Sequence, residues 1–250
     1  MRSKNVPTMR AKTAATAGPT SGGTAVDPDI AKYRSYVGQL DKTLRHDEAM
    51  EHAIGGSFDA FGLIERDILL AYGLGDKSFL IDVGCGSGRL AKALAEFSGR
   101  YHGIDVVPEL VEYARRFGRP GWRFSLVDGT AIPEAEESAD MICFFSVLTH
   151  LRLEQIYLYL EDARRVLRAG GRIVGSFIEL TSPNQWPAFQ ATVADARGQR
   201  RLPLNVFLER SQIEVIADRI GLEILDLRRD DEPISARGAL GQAIAVFAKP

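Results

Sequence analysis

Two hydrophobic rhythms divide the chain. Between residues 40 and 69 apolar side chains recur three or four positions apart: Leu40, Leu44, Met50 and Ile54, then Phe58, Phe61, Ile64, Ile68 and Leu69. That spacing lays one stripe along a helix. The pair Gly55-Gly56 interrupts it, so the pattern predicts two helices with a break. From residue 78 the rhythm changes to short apolar runs separated by amphipathic stretches. SFLIDV (78–83), RYHGIDV (100–106), WRFSLVD (122–128), ADMICFFSV (139–147) and GRIVGSFIEL (171–180) read as five strands. Helical patterns fall between them at GRLAKALAEF (88–97), PELVEYARRF (108–117) and LEQIYLYLEDARRVLRAG (153–170).

Strands and helices alternating at this spacing predict a doubly wound parallel sheet of the α/β class, and the near-continuous apolar strands fit a sheet covered on both faces. After residue 180 the rhythm breaks at a proline-punctuated insertion of about 181–208, with room for one short helix. A helix at 210–221 and two strands, LEILDLRR (222–229) and QAIAVFAKP (242–250), close the pattern, the strands as an antiparallel pair at a sheet edge. The organisation expected is a disordered tail (1–28), an N-terminal helical cap (29–76) and a core (77–250) carrying the insertion as a lid. The tail is assigned on its Ala, Thr, Gly and Pro content and its lack of large apolar residues.

Composition narrows the function. Hydrophobic residues make up 45% and charged residues 26% of 250, as in ordinary globular proteins, and the net charge of -2 disfavours broad binding to nucleic acid. Two cysteines, Cys85 and Cys143, are too few for a disulfide framework or a zinc site. No apolar run reaches the roughly 18–20 residues of a membrane span. These features predict a cytoplasmic protein without a metal or a membrane partner.

The chemistry concentrates in FLIDVGCGSGRLAKAL (79–94), where a strand meets a helix through Gly84, Gly86 and Gly88. Glycines there permit a tight turn and close approach of backbone to a ligand. The spacing Gly-x-Gly-x-Gly departs from the dinucleotide fingerprint Gly-x-Gly-x-x-Gly, since Arg89 stands where the third glycine would fall; no Gly-Lys-Ser/Thr follows either. Asp82, two residues before the turn, would repel a pyrophosphate and suits a ligand carrying positive charge.

DVGCGSGRL resembles the first motif of the class I S-adenosylmethionine-dependent methyltransferases, and the resemblance runs through residues 79–177. It implies the seven-stranded, Rossmann-like fold of that family, S-adenosylmethionine as donor and S-adenosylhomocysteine as product. By the same resemblance Asp82, Gly84, Cys85, Gly86 and Gly88 cradle the donor. Asp105, ending the second strand, accepts the ribose hydroxyls, with Val106 against the adenine, while Asp128 and Gly129 meet the adenine edge. Ser146 opens SVLTHL (146–151), a segment whose end should face the methyl group. In LRAGGRIVGSF, Ala169 replaces the proline usual before the fifth strand. Cys85 reads as a small packing residue of the turn and Cys143 as core.

Methyl transfer to a hydroxyl needs an aligned acceptor and a base. His150 is the candidate catalytic base; capping or packing of the helix at Leu153 is its other reading. His52, Glu179 and Trp186 are candidate acceptor residues by position, and RGQRR (197–201) is either an anion contact or an exposed charge run. No Asn/Asp-Pro-Pro-Tyr/Phe tetrapeptide follows the fourth strand, which favours a small-molecule acceptor (a sugar, a quinone-type ring or a secondary metabolite) over nucleic acid. Two alternatives stand beside this reading: a nicotinamide-dependent oxidoreductase, and a non-catalytic adenosine-binding adaptor of the same fold.

Overall fold

The computed structural model describes residues 27–198 and 204–250, and all structural statements below concern these. The expected tail, but for its last two residues, and most of RGQRR lie outside them. Seven strands form one sheet: β1 (Phe79–Val83), β2 (Arg100–Asp105), β3 (Arg123–Leu126), β4 (Ala139–Phe144), β5 (Leu167–Phe177), β6 (Glu223–Arg228) and β7 (Ala243–Ala248). Their order is β3-β2-β1-β4-β5-β7-β6, with β1 to β5 parallel and β7 antiparallel to both neighbours. The expected antiparallel pair is present, with β7 inserted beside β5 and only β6 at the edge.

Eight helices surround the sheet: α1 (Pro28–Thr43), α2 (His46–Ala53), α3 (Phe58–Ala71), α4 (Arg89–Ala93), α5 (Pro108–Ala114), α6 (Leu153–Val166), α7 (Trp186–Ala196) and α8 (Arg210–Ile220). Successive strand residues point to opposite faces. On β1, Ile81 packs with Ile156, Leu160 and Ala163 of α6 and Ile213 of α8, whereas Leu80 packs with Ile64 and Ile68 of α3 and Leu90 of α4. Burying each such side chain is worth about 1.5–3 kcal/mol, which explains why no strand of the central five alternates with polar residues on a solvent face. Gly62 lets α3 lie against the α4 backbone, since a Cβ there would stand 2.5 Å from the Arg89 carbonyl oxygen.

Three differences from the sequence reading have local causes. The cap holds three helices, because α1 is largely polar and buries fully only Val37, leaving little periodic signal. The helix predicted to run to residue 170 ends at Val166. Leu167 already pairs with Ala139 in β5, and the ladder crosses a bulge around Gly170, which sits at φ +73° and donates to the Lys249 carbonyl. The insertion contributes α7, which carries Pro187 in its first turn but buries no residue completely.

Candidate functional site

In sheets of this kind ligands bind beyond the carboxyl ends of the strands, where the order reverses. Here β1 lies between β2 and β4. The ends of these strands open onto a cavity of about 630 Å³, which α1, α3 and residues after β3 help to line.

The glycine turn forms its floor. Gly84 and Gly86 have φ of +71° and +53°, a region costly for residues with a Cβ. Space forbids a side chain as well: a Cβ on Gly84 would lie 2.3 Å from Val147 Cγ2, and one on Gly86 would lie 2.7 Å from Ile54 Cγ2. The backbone N–H groups of Gly84 and Cys85 both donate to the Ile104 carbonyl (2.8 and 3.0 Å), fixing the turn to β2. Gly88 does not line the cavity; it faces α5, where its Cβ would meet Ala114. Cys85 lines it, but burial pushes its thiol well up, so it stays protonated.

Asp105 is buried and held by backbone donors. Gly86 N–H donates to Oδ2 and Val107 N–H to Oδ1, both at 2.9 Å. Burial raises its pKa, and these bonds pull the other way. Each oxygen keeps a further acceptor position. Asp82 accepts from the Tyr101 hydroxyl at 2.6 Å and lies 3.4 Å from the Cys143 thiol; burial pushes its carboxyl up to about 6. Val106, Asp128 and Gly129 line the same cavity, and the Tyr159 hydroxyl donates to the Gly129 carbonyl at 2.7 Å.

Past β4, Ser146 adopts φ +58°, uncommon for a residue other than glycine. A closed set of bonds holds it. Its N–H donates to Ser176 Oγ (2.7 Å), the Ser176 hydroxyl donates to Gln242 Oε1 (2.7 Å), and Gln242 Nε2 donates to Ser146 Oγ (3.0 Å). The turn that follows, Leu148–His150, carries His150 into the cavity. His150 Nδ1 lies 2.6 Å from the Leu204 carbonyl oxygen, which can only accept; Nδ1 therefore carries the proton and Nε2 is left as an acceptor. Burial lowers the pKa of His150, partly offset by that bond, so the ring is neutral at pH 7. Its ring stacks on Tyr33 of α1, centroids 5.9 Å apart.

The three expected acceptor residues are not brought to this cavity. His52 lines a separate groove of about 840 Å³ among mostly exposed side chains of α2. Glu179 is buried in a bidentate pair with Arg210 (2.8 and 3.2 Å), and Trp186 is half exposed beside Phe189. Conversely, Tyr33, Glu65, Arg89, Gln155 and Leu204 line the cavity without having been singled out. Glu65 had a signal, since it falls on the buried face of α3 with Gly62 and Leu69. No cluster of three or more His, Cys, Asp or Glu side chains suited to a metal exists among the described residues. Nor is any helix among them long and apolar enough to cross a membrane.

Comparison with known proteins agrees with this geometry. Residues 81–175 match the family model described as a methyltransferase domain. Over that segment the chain is similar to methyltransferases. The chain is 32% identical over 113 residues to the demethylmenaquinone methyltransferase of Tropheryma whipplei, covering 44% of each chain. It is 30% identical over 131 residues to the ubiquinone biosynthesis O-methyltransferase of Xanthomonas oryzae pv. oryzae, covering 49% of this chain and 51% of that one. The match thus spans about half the length of these curated relatives. Magnesium protoporphyrin IX methyltransferase from Synechocystis PCC 6803, solved with bound SAH, superposes with a TM-score of 0.62 over 90% of this chain and 100% of its own. At 14% identity that likeness concerns the fold alone.

Proposed function

We propose that this protein moves a methyl group from S-adenosylmethionine to a hydroxyl of a small molecule, with His150 as the base. The observation that carries the reading is one cavity holding the glycine turn, Asp105 and a neutral His150 whose Nε2 is left bare. The lining chemistry suits a cationic nucleoside. Asp27, Asp29, Glu65, Asp82, Asp105 and Asp128 face the cavity against one guanidinium, that of Arg89. A nicotinamide dinucleotide, with its pyrophosphate, fits that charge balance poorly.

Bound there, the donor supplies a methyl group already activated by the sulfonium. Asp105 takes the ribose hydroxyls through its remaining acceptor positions, and the Gly84–Gly86 backbone passes close to the ligand. Asp128 and Gly129 meet the adenine, and Val106 covers it. His150 accepts the hydroxyl proton at Nε2 as the acceptor oxygen attacks. A cavity of about 630 Å³ has room for a nucleoside and a small acceptor, not for a polymer. Two relatives carry names from quinone biosynthesis, which supports a quinone-type ring, with sugars and secondary metabolites as further acceptors. We place the protein in the cytoplasm, acting without metal, nucleic acid or membrane. Calorimetric titration with S-adenosylhomocysteine, followed by turnover of the donor over a panel of hydroxylated metabolites, tests the reading. No binding at millimolar ligand would overturn it.

A further inference from the structure

Beyond β4 the cavity wall carries a polar group that the reaction above does not use. Ser146 lines the cavity just before the turn that bears His150. Its backbone is fully engaged: the N–H donates to Ser176 Oγ (2.7 Å), and the carbonyl oxygen accepts from the Thr149 hydroxyl (3.0 Å). Only its hydroxyl is left, and Gln242 decides where that proton points. Ser176, on β5, is completely buried and already accepts the Ser146 N–H, so its own proton needs an acceptor. Gln242 Oε1 provides one at 2.7 Å. The other end of the same amide is then Nε2, a donor, which takes a lone pair of Ser146 Oγ at 3.0 Å. With its oxygen occupied from that side, the Ser146 hydroxyl turns its proton toward the cavity. A glycine would adopt φ +58° without strain, so packing does not account for a serine here.

We propose that Ser146 donates to a second oxygen of the acceptor, so that the preferred acceptor carries its hydroxyl in conjugation with a neighbouring carbonyl. The assignment rests on the reaction proposed above, with His150 as base. Nε2 of His150 can only accept and Ser146 presents a donor, both from one short segment of the cavity wall. A ligand that satisfies both has a hydroxyl to give up its proton and, close by, an oxygen to accept a hydrogen bond. Conjugation joins the two chemically. As His150 takes the hydroxyl proton, negative charge spreads to the carbonyl oxygen, and the bond from Ser146 strengthens as that charge builds. The hydroxyl oxygen forms its bond to the methyl carbon while the carbon–sulfur bond breaks, its electron pair passing to sulfur. The proton remains on Nε2 until water removes it. A lone phenol offers the Ser146 proton no partner.

Two probes of nearly equal shape isolate that bond: ortho-hydroxyacetophenone, with a carbonyl beside the hydroxyl, and ortho-ethylphenol, with a methylene in its place. Each is titrated calorimetrically into the full chain saturated with S-adenosylhomocysteine. Wild type should bind ortho-hydroxyacetophenone roughly 10-fold more tightly. In Ser146→Gly, which removes the hydroxyl and suits φ +58°, the ratio should fall close to one. Gln242→Glu keeps the Ser146 hydroxyl but replaces the Nε2 donor with a carboxylate oxygen, which draws the proton out of the cavity. The ratio should collapse there too. Retained affinity for S-adenosylhomocysteine shows that both variants are folded. A purely structural role would weaken both probes alike and leave the ratio standing. That result in either variant, or a wild type that binds S-adenosylhomocysteine but does not prefer the carbonyl probe, would overturn the assignment and leave the donor reading intact. Loss of S-adenosylhomocysteine in the variants alone would overturn it as well, by making Ser146 part of the donor site. Failure of wild type to bind S-adenosylhomocysteine would instead remove the donor itself, and this assignment with it.

Discussion

At the ends of β1 and β2 the cavity is shaped by backbone: Gly84, Cys85 and Asp105 are linked by N–H groups reaching Ile104 and the Asp105 carboxylate. At the end of β4 it is shaped by side chains from far along the chain. His150 is fixed by Leu204, 54 residues on, and stacks on Tyr33, while Ser146 is held by Ser176 and Gln242. A backbone-built site binds one invariant ligand and tolerates few substitutions. One assembled from remote side chains can be altered for a different acceptor without disturbing the first. On the proposed function the first region holds the donor and the second takes the proton, so substitutions in each should fail in different ways.

The largest effect belongs to the second region. His150→Ala should lower kcat roughly 10²- to 10⁴-fold and leave S-adenosylhomocysteine affinity unchanged, measured by turnover and titration side by side. Wild-type kcat/KM should fall as pH drops through a value below about 6.5, because burial lowers the His150 pKa and protonation below it removes the base. A limb above that value would assign proton removal elsewhere. Asp105→Asn should do the opposite. It should weaken S-adenosylhomocysteine about 100-fold by removing charge-assisted bonds, and it leaves an amide to face the Gly86 and Val107 N–H groups. If both variants lost affinity alike, the division between the regions would collapse.

Gly84→Ala probes the seam between them. Its Cβ would strike Val147, whose branched side chain has little freedom to move and which leads into the His150 turn. Left-handed backbone and overpacking together should cost about 2–4 kcal/mol, read as a lower Tm, with a fall in kcat as the His150 turn is displaced. A loss of stability with kcat intact would show that the two regions are mechanically independent.

The same division decides how much the sequence revealed. The alternating strands and the glycine turn are local patterns, so the sheet and the cluster of Asp82, Gly84, Gly86 and Asp105 were legible. Each depends on a strand end and the few residues after it. The cavity's other lining residues depend on packing between distant segments. Tyr33 sits on a helix whose polar sequence hardly signals helix at all, and Leu204 contributes only a carbonyl oxygen, which every residue has. Glu179 was singled out as an acid at a strand end, but Arg210 of α8 reaches it first. Arg89 was visible only as a missing glycine, because its partner Glu65 lies in a helix read for its apolar stripe.

The smallest effect should come from the outer clasp over the cavity. Arg152 at the start of α6 donates to Asp29 of α1 at 2.9 Å, and Gln155 donates to Asp27 at 3.0 Å. These bonds hold the first turn of α1 above Leu151 and Tyr33, both of which line the cavity. The Arg152 side chain is 57% exposed, so water and salt screen the pair and its contribution is slight. Arg152→Gln should raise acceptor KM less than about fivefold with kcat unchanged, and high salt should reproduce the change in wild type. A loss as large as that of Asp105→Asn would mean that α1 defines the site as firmly as the glycine turn does, and the contrast between a rigid donor floor and an adjustable acceptor side would no longer hold.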